Sequence, residues 1–327
     1  MKVLVGLLRA ALLLFVVSCT GLIANSRVVE LVPIALDSRN PEQKHFGKLI
    51  LMSAFQLKSG DDRFGGLSGL AFGPDNKLYA VSDKGRWLSA RMVFHPDGSL
   101  VDLADWEIKP LVAPDKTRVA GVLTDSEALA RTPDGSFIVA FEQAHRLWRY
   151  PPPPANFTSP PVSVPLPPEV TNAPNNGGLE GVAVLPDGRI LALTEEFQNA
   201  DGSFKGWLID NGRFAELSYT PSGGFRVSDC VALRSGDVIV LERSYTLFGT
   251  LRARLKFISR DSIRPGAELN GEEILRLDPP LAVDNFEGVA VQEDPLKGTM
   301  IYLVSDDNFH PLQRTLLLQF RLDKSGD

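Results

Sequence analysis

Acidic residues recur in this chain at two fixed places of a repeated unit, and that spacing is the first pointer to chemistry. Each unit reads as a small or acidic residue, an apolar strand, a Pro-Asp-Gly-like turn, a second apolar strand and another acid. The five copies are GGLSGLAFGPDNKLYAVSDKG from Gly65, TDSEALARTPDGSFIVAFEQ from Thr124, GGLEGVAVLPDGRILALTEEF from Gly177, RVSDCVALRSGDVIVLERSY from Arg226 and DNFEGVAVQEDPLKGTMIYLVSDDNF from Asp284. Antiparallel strands joined by a tight turn return to their origin, so the residue before the first strand lies beside the residue after the second. The predicted pairs are Ser68 with Asp83, Glu127 with Glu142, Glu180 with Glu195, Asp229 with Glu242, and Glu287 with Asp306. All but Ser68 are acidic.

Carboxylates gathered this closely repel one another and rise in pKa unless cations neutralise them. Oxygen-rich sites of this kind suit Ca²⁺, whereas Zn²⁺ prefers His and Cys. The candidate metal ligands are Asp83, Glu127, Glu180, Glu195, Glu287 and Asp306, with Asn285, Asp307 and Asn308 as outer oxygens. Glu180 and Glu287 are the candidate catalytic carboxylates. His310, four residues beyond Asp306, is the candidate general acid or base; His145 is placed similarly after Glu142. Lys84, Arg86, Arg146 and Arg243 follow ring acids closely and are expected either to pair with them or to hold an anionic substrate. The alternative reading is structural, with the acids capping turns and accepting backbone N–H bonds between units. Nucleophilic catalysis has little support: Ser68 lies in no G-x-S-x-G elbow.

Repeats spaced about 50 to 60 residues apart, each followed by further strand-like pieces and none with helical periodicity, position these residues as blades of an all-β propeller. Five four-stranded blades are expected, with a sixth, degenerate blade as the alternative. The last repeat is followed by only one clear strand, TLLLQFRL, so the N-terminal strand KLILMSAFQL is expected to complete its blade and close the ring, which removes exposed sheet edges. The turn acids Asp134 and Asp187 belong to the opposite end and form turns. The Pro-rich stretch from Pro151 to Glu169 reads as an outer loop or edge.

Composition bounds the rest. The 327 residues carry a formal charge of −6 with no Lys/Arg block, which argues against nucleic acid as a partner. Hydrophobic residues make up 44% and charged residues 23%, ordinary for a globular chain with a sizeable core. The N-terminal apolar run reads as a signal peptide over residues 1–18, and Val16-Val17-Ser18-Cys19 resembles a lipobox with Cys19 as lipid acceptor; cleavage after residue 26 is the rival route. Residues 19–46 form an N-terminal segment and 47–323 a single propeller domain. The expectation is an exported bacterial protein, periplasmic or envelope-anchored and otherwise secreted, touching a membrane only through that anchor, monomeric, and acting on a small, anionic substrate. Cys230, the other cysteine, reads as a buried, inert thiol.

The blocks GGLSGLAF with LYAVSD, GGLEGVAVLPDGRILALTEE, DCVAL with VIVLERSY, and NFEGVAV with YLVSDDNF resemble the bacterial phytase-like propeller family described as "esterase-like activity of phytase" over about Phe64 to Leu322. The resemblance implies an exported propeller with hydrolytic activity on esters or phosphoesters. A gluconolactonase-like lactonase and a non-enzymatic binding propeller are the alternatives. Phosphate-binding residues of calcium phytases have no one-to-one match in this chain.

Overall fold

The computed structural model describes residues 28–245 and 250–323. The signal segment 1–18, Cys19 and the alternative cleavage after residue 26 lie outside the described residues. Five antiparallel sheets make five blades. Blade 1 is built from Leu67–Phe72, Lys77–Ser82, Arg86–Phe94 and Leu100–Pro110; blade 2 from Ser126–Arg131, Phe137–Phe141, Arg146–Tyr150 and Val162–Val164. Blade 3 comprises Leu179–Val184, Ile190–Gln198, Phe204–Asp210 and Arg213–Tyr219, with Glu268–Leu269 added in parallel at its edge. Blade 4 has Arg226–Ala232, Val238–Tyr245, Leu251–Ile258 and Glu272–Leu277.

Blade 5 combines both ends of the chain. Asn285–Asp294, Gly298–Asp306 and Thr315–Leu322 are joined by Leu49–Lys58, which pairs antiparallel with Thr315–Leu322 from Thr315 opposite Leu57 to Leu322 opposite Leu49. This is the closure expected of KLILMSAFQL. The earlier strand Glu30–Pro33 does not found a sixth blade; it adds outside Leu49–Lys58 as one more strand of blade 5. Among the described residues no helix is long and apolar enough to cross a membrane.

Side chains of each inner strand pack against the blades on either side, so the core is a set of interblade clusters. One, between blades 4 and 5, includes Leu241, Leu255, Phe286, Leu303 and Phe320, all 0–1% exposed. The far-end turns behave as the sequence predicts: Asp134 Oδ1 accepts from the Ser136 N–H at 3.2 Å and Asp187 Oδ1 from the Arg189 N–H at 3.0 Å. The glycines after them, Gly135 at φ 85° and Gly188 at φ 88°, take the left-handed conformation the turn needs. The Pro-rich stretch supplies the short edge strand Val162–Val164.

One irregularity aims the functional residues. Every inner strand slips its register by one residue at its start: between Leu67 and Gly69, Ser126 and Ala128, Leu179 and Gly181, Val227 and Asp229, and Phe286 and Gly288. Such bulges redirect a side chain. The residues they contain are Ser68, Glu127, Glu180, Ser228 and Glu287. The next position faces an adjacent blade at close range: a Cβ on Gly69 would lie 2.6 Å from the Leu129 nitrogen, and one on Gly288 3.2 Å from Leu70 Cβ. Hence the Glu-Gly order of the repeat.

Candidate functional site: a carboxylate-lined channel mouth

The bulge corrects the sequence reading of blade 4. Its ring residue is Ser228, not Asp229, and because Val227 pairs with Glu242 and Arg226 with Arg243, the position equivalent to Asp83, Glu142, Glu195 and Asp306 is held by Arg243. Asp229 stands where the other blades have Gly or Ala. It is fully buried, its Oδ2 accepting from the Val289 N–H of blade 5 and its Oδ1 from the Cys230 N–H, each at 2.8 Å. Glu242, also fully buried, is turned away to Arg254, whose Nη2 reaches Glu242 Oε1 at 3.2 Å. Both acids are structural. The two ring serines donate to backbone carbonyls, Ser68 to Gly66 at 3.4 Å and Ser228 to Phe286 at 3.1 Å.

Arg243 lies among the ring acids. Its Nη2 is 3.2 Å from Glu195 Oε1, and its Nη1 bonds Glu287 Oε1 and, at 3.1 Å, Asn285 Oδ1. Asn285 Nδ2 donates to the same Glu287 oxygen at 2.6 Å. Of the two roles expected of this residue, pairing with the ring acids is the one seen: it neutralises Glu195 and Glu287 from within, and Glu287 is engaged as its anchor.

Blade 2 presents the opposite arrangement. Carboxylate oxygens of Asp125, Glu127 and Glu142 lie within 4.8 Å of one another. Glu142 Oε1 accepts from the Gly177 N–H at 2.8 Å and from the Gly178 N–H; Asp125 Oδ2 accepts from Gln143 Nε2 at 2.7 Å. Among the described residues none of the three acids is in an ion pair, and nothing donates to Glu127 or to its neighbour Glu180. Asp125 was not singled out by the sequence reading. Its signal is position: two residues before a ring acid, the place Asn285 holds in blade 5.

Electrostatics follow the packing. Burial, then the charges of Glu287, Asp125 and Glu142, raise Glu127 well above the ordinary carboxyl range, with Arg243 opposing the shift from a distance. Burial with Glu127, Glu195 and Glu142 does the same to Glu180. Glu142 is pushed up to about 7, chiefly by burial, against the pull of the Gly178 and Gly177 N–H groups. Burial and the Glu287 charge take Asp306 to about 8 although Oδ1 accepts from the Asn308 N–H at 2.7 Å. Asp83 is raised by burial, with Lys84 3.3 Å away opposing the shift.

The remaining expected residues scatter. Lys84 sits at the rim, 5.3 Å from the centre of the exposed Phe309 ring. Arg146 is a staple: its guanidinium stacks on Phe141 at 3.8 Å and donates to the carbonyls of Ala144 and Leu123. Arg86 lines a separate cavity on blade 1. His310 is exposed and its Nδ1 accepts from the Leu312 N–H at 3.3 Å, holding its own loop. His145 packs on Gly178 and its Nε2 donates to the Pro174 carbonyl at 2.9 Å. Asp307 ties the mouth loop, its Oδ1 accepting from the Gly66 and Phe309 N–H groups at 3.1 Å and its Oδ2 from Thr315 Oγ1. Cys230 is a buried free thiol, raised in pKa by that burial.

The donor chemistry at blade 2, three carboxyls free of ion pairs among the described residues, fits a hard divalent cation. Among solved structures, the chain is similar to a PQQ-bound aldose sugar dehydrogenase from Streptomyces coelicolor, with 15% identity over 89% of this chain and 100% of that one and a TM-score of 0.48. It is also similar to a gluconolactonase from Xanthomonas campestris, with 12% identity over 89% and 97% of the two chains and a TM-score of 0.44. At these scores neither likeness carries an argument about chemistry. No curated protein matches the chain. The family model described as "esterase-like activity of phytase" matches residues 62–309, three quarters of the sequence, and the chain belongs to this phytase-like family.

Proposed function

We propose that this protein is a hydrolase of phosphoesters or carboxyl esters that works at the carboxylate mouth with a divalent cation, calcium by donor chemistry. The observation that carries the reading is the convergence of Asp125, Glu127 and Glu142 within 4.8 Å with no ion pair to any of the three among the described residues, Arg243 acting on Glu127 only from beyond ion-pair distance. These three residues would hold the ion, with Glu180 beside them. A bound divalent cation supplies polarisation of a phosphoryl or carbonyl oxygen. Arg243 keeps Glu195 and Glu287 from repelling an incoming anion, and Lys84 at the rim offers a positive charge to its distal part. Glu180, buried, with no donor bonded to it, is placed to carry a proton for the leaving oxygen. Export through the N-terminal apolar run, with Cys19 as anchor, belongs to the same proposal and rests on sequence alone.

Calcium at 100 times its dissociation constant is expected to stabilise the fold by about 2.7 kcal/mol, and Glu127→Gln to weaken that response at least tenfold in affinity. Thermal unfolding with calcium, magnesium and chelator reads both. No shift with any divalent ion sinks the metal site. If the ion binds, p-nitrophenyl phosphate, carboxyl esters and lactones assayed in parallel with Glu127→Gln and Glu180→Gln decide the reaction class. Lactone cleavage alone would give the lactonase reading; a folded, metal-bound protein inactive on all three would give a binding propeller.

A further inference from the structure

On the same end of the propeller but outside the mouth, blade 1 carries a second cavity, of about 330 Å³, lined by Arg63, Arg86, Lys109 and Arg118 over the buried Ile108. The backbone brings these residues together firmly. Arg86 opens its strand opposite Pro110 at the end of the outer strand. The chain beyond Pro110 then turns back on itself: the Leu111 N–H donates to the Gly85 carbonyl at 2.9 Å, the Val119 N–H to the Leu111 carbonyl at 3.0 Å, and Arg118 bridges Val112. Arg118 is therefore carried on a tied hairpin.

The four cations are not equivalent. Arg63 forks onto Asp61, with Nε 2.8 Å from Oδ1 and Nη2 2.5 Å from Oδ2, and this pairing lowers Asp61. Lys109 turns its ammonium to Glu107, 2.6 Å away. Arg86 and Arg118 have no carboxylate at ion-pair distance among the described residues, and the single acid on the cavity wall is the exposed Asp62. In a chain of net charge −6 this is a local excess of positive charge. Guanidinium groups present planar donor forks that match phosphate oxygens in pairs. The volume lies at the small end of ligand pockets, which run from about 300 to 1,000 Å³.

We propose that this cavity is a binding site for a compact phosphate-type oxyanion, with Arg86 and Arg118 as its forks and Arg63 as a flanking charge. It is separate from the carboxylate mouth and stands whether or not the mouth is catalytic. The shared chemistry is a doubly charged tetrahedral oxyanion, either free in solution or as a lipid headgroup.

Unfolding is followed in chelator, so that the mouth contributes no metal-held anion, with inorganic phosphate or pyrophosphate against chloride of equal ionic strength. The native chain is expected to gain thermal stability with phosphate over chloride, and R86Q/R118Q to bind pyrophosphate roughly ten- to a hundredfold more weakly in a calorimetric titration. R86K/R118K keeps the charge but loses the forks and is expected to fall between. Should R86Q/R118Q unfold without ligand, R118Q alone, an exposed position, carries the comparison. Sedimentation with phosphatidic acid vesicles, whose headgroup is a phosphomonoester, against phosphatidylcholine vesicles assigns the source: binding to vesicles but not to free phosphate, abolished in the variant, gives the headgroup. Absence of any phosphate or headgroup preference in the native chain overturns the proposal, as does an unchanged response in the variants.

Discussion

On one side of the mouth Arg243 lies between Glu195, Glu287 and Asn285, while on the other Asp125, Glu127 and Glu142 face one another with no ion pair among them. Both halves are built from the same hairpin with the same bulge. The difference comes from one blade, which keeps the same register but carries its acid, Glu242, one residue earlier, so that Arg243 takes the ring position. A ring of one sign can be tolerated either by an internal counter-charge or by protonation and an external cation. This ring uses the first solution on one side, and on the other, where no ion pair holds the acids among the described residues, the proposed cation would supply the second.

The largest expected effect tests the internal counter-charge. Arg243→Met leaves Glu195 and Glu287 buried without their cation, and removing one partner of such a pair costs about 3–5 kcal/mol. The unfolding midpoint in urea should fall accordingly, and calcium should restore stability more in the variant than in the native chain, because the structural half then also needs an external cation. An unchanged midpoint would show that Arg243 does not compensate the ring.

The next effect is on pH. Glu142 and Asp306 are raised to about 7 and about 8 from ordinary values of 4.5 and 3.8, and Glu127 and Glu180 are raised with them. The folded state thus binds protons more tightly than the unfolded chain, so stability falls as pH rises through the interval between the two sets of values. In chelator the melting temperature is expected to drop from pH 5 to pH 9, most steeply up to about pH 8. With calcium the drop should flatten, because the ion favours the ionised carboxylates, and calcium affinity should rise over the same interval. A profile equally steep with and without calcium would place the titrating acids away from the ion.

Much of this was legible in the residues. The repeated hairpin, the turn acids, the closing strand and Glu127, Glu180 and Glu287 all follow from local pattern, because strand alternation and turn chemistry are encoded within a few residues. Blade 4 departs from the pattern because its two acids, Asp229 and Glu242, each stand one residue away from the ring positions, which Ser228 and Arg243 hold. The apolar residue just before the bulge is the safer guide: Leu67, Leu179, Val227 and Phe286 align and put Ser228 at the ring. The pairing of Arg243, the joining of Asp125 to the cluster and the diversion of Arg146 to a staple depend on which neighbouring blade each side chain meets. No single repeat contains that information.

Asp229→Asn gives the smallest effect and the sharpest contrast with the ring acids. Burial raises the Asp229 carboxyl as it does those of Glu127 and Glu180, but both Asp229 oxygens already accept backbone N–H bonds, at 2.8 Å each, whereas nothing among the described residues donates to Glu127. Asparagine keeps one acceptor oxygen at nearly the same volume but replaces the other with an amide donor facing an N–H. The expected cost is therefore about one backbone hydrogen bond, roughly 1 kcal/mol. Calcium affinity should stay within about twofold of the native value, whereas Glu127→Gln loses at least about tenfold. If calcium titration of Asp229→Asn instead matched Glu127→Gln, blade 4 would contribute an acid to the ring after all, and the division of the mouth into a self-neutralised half and a cation-binding half would fail.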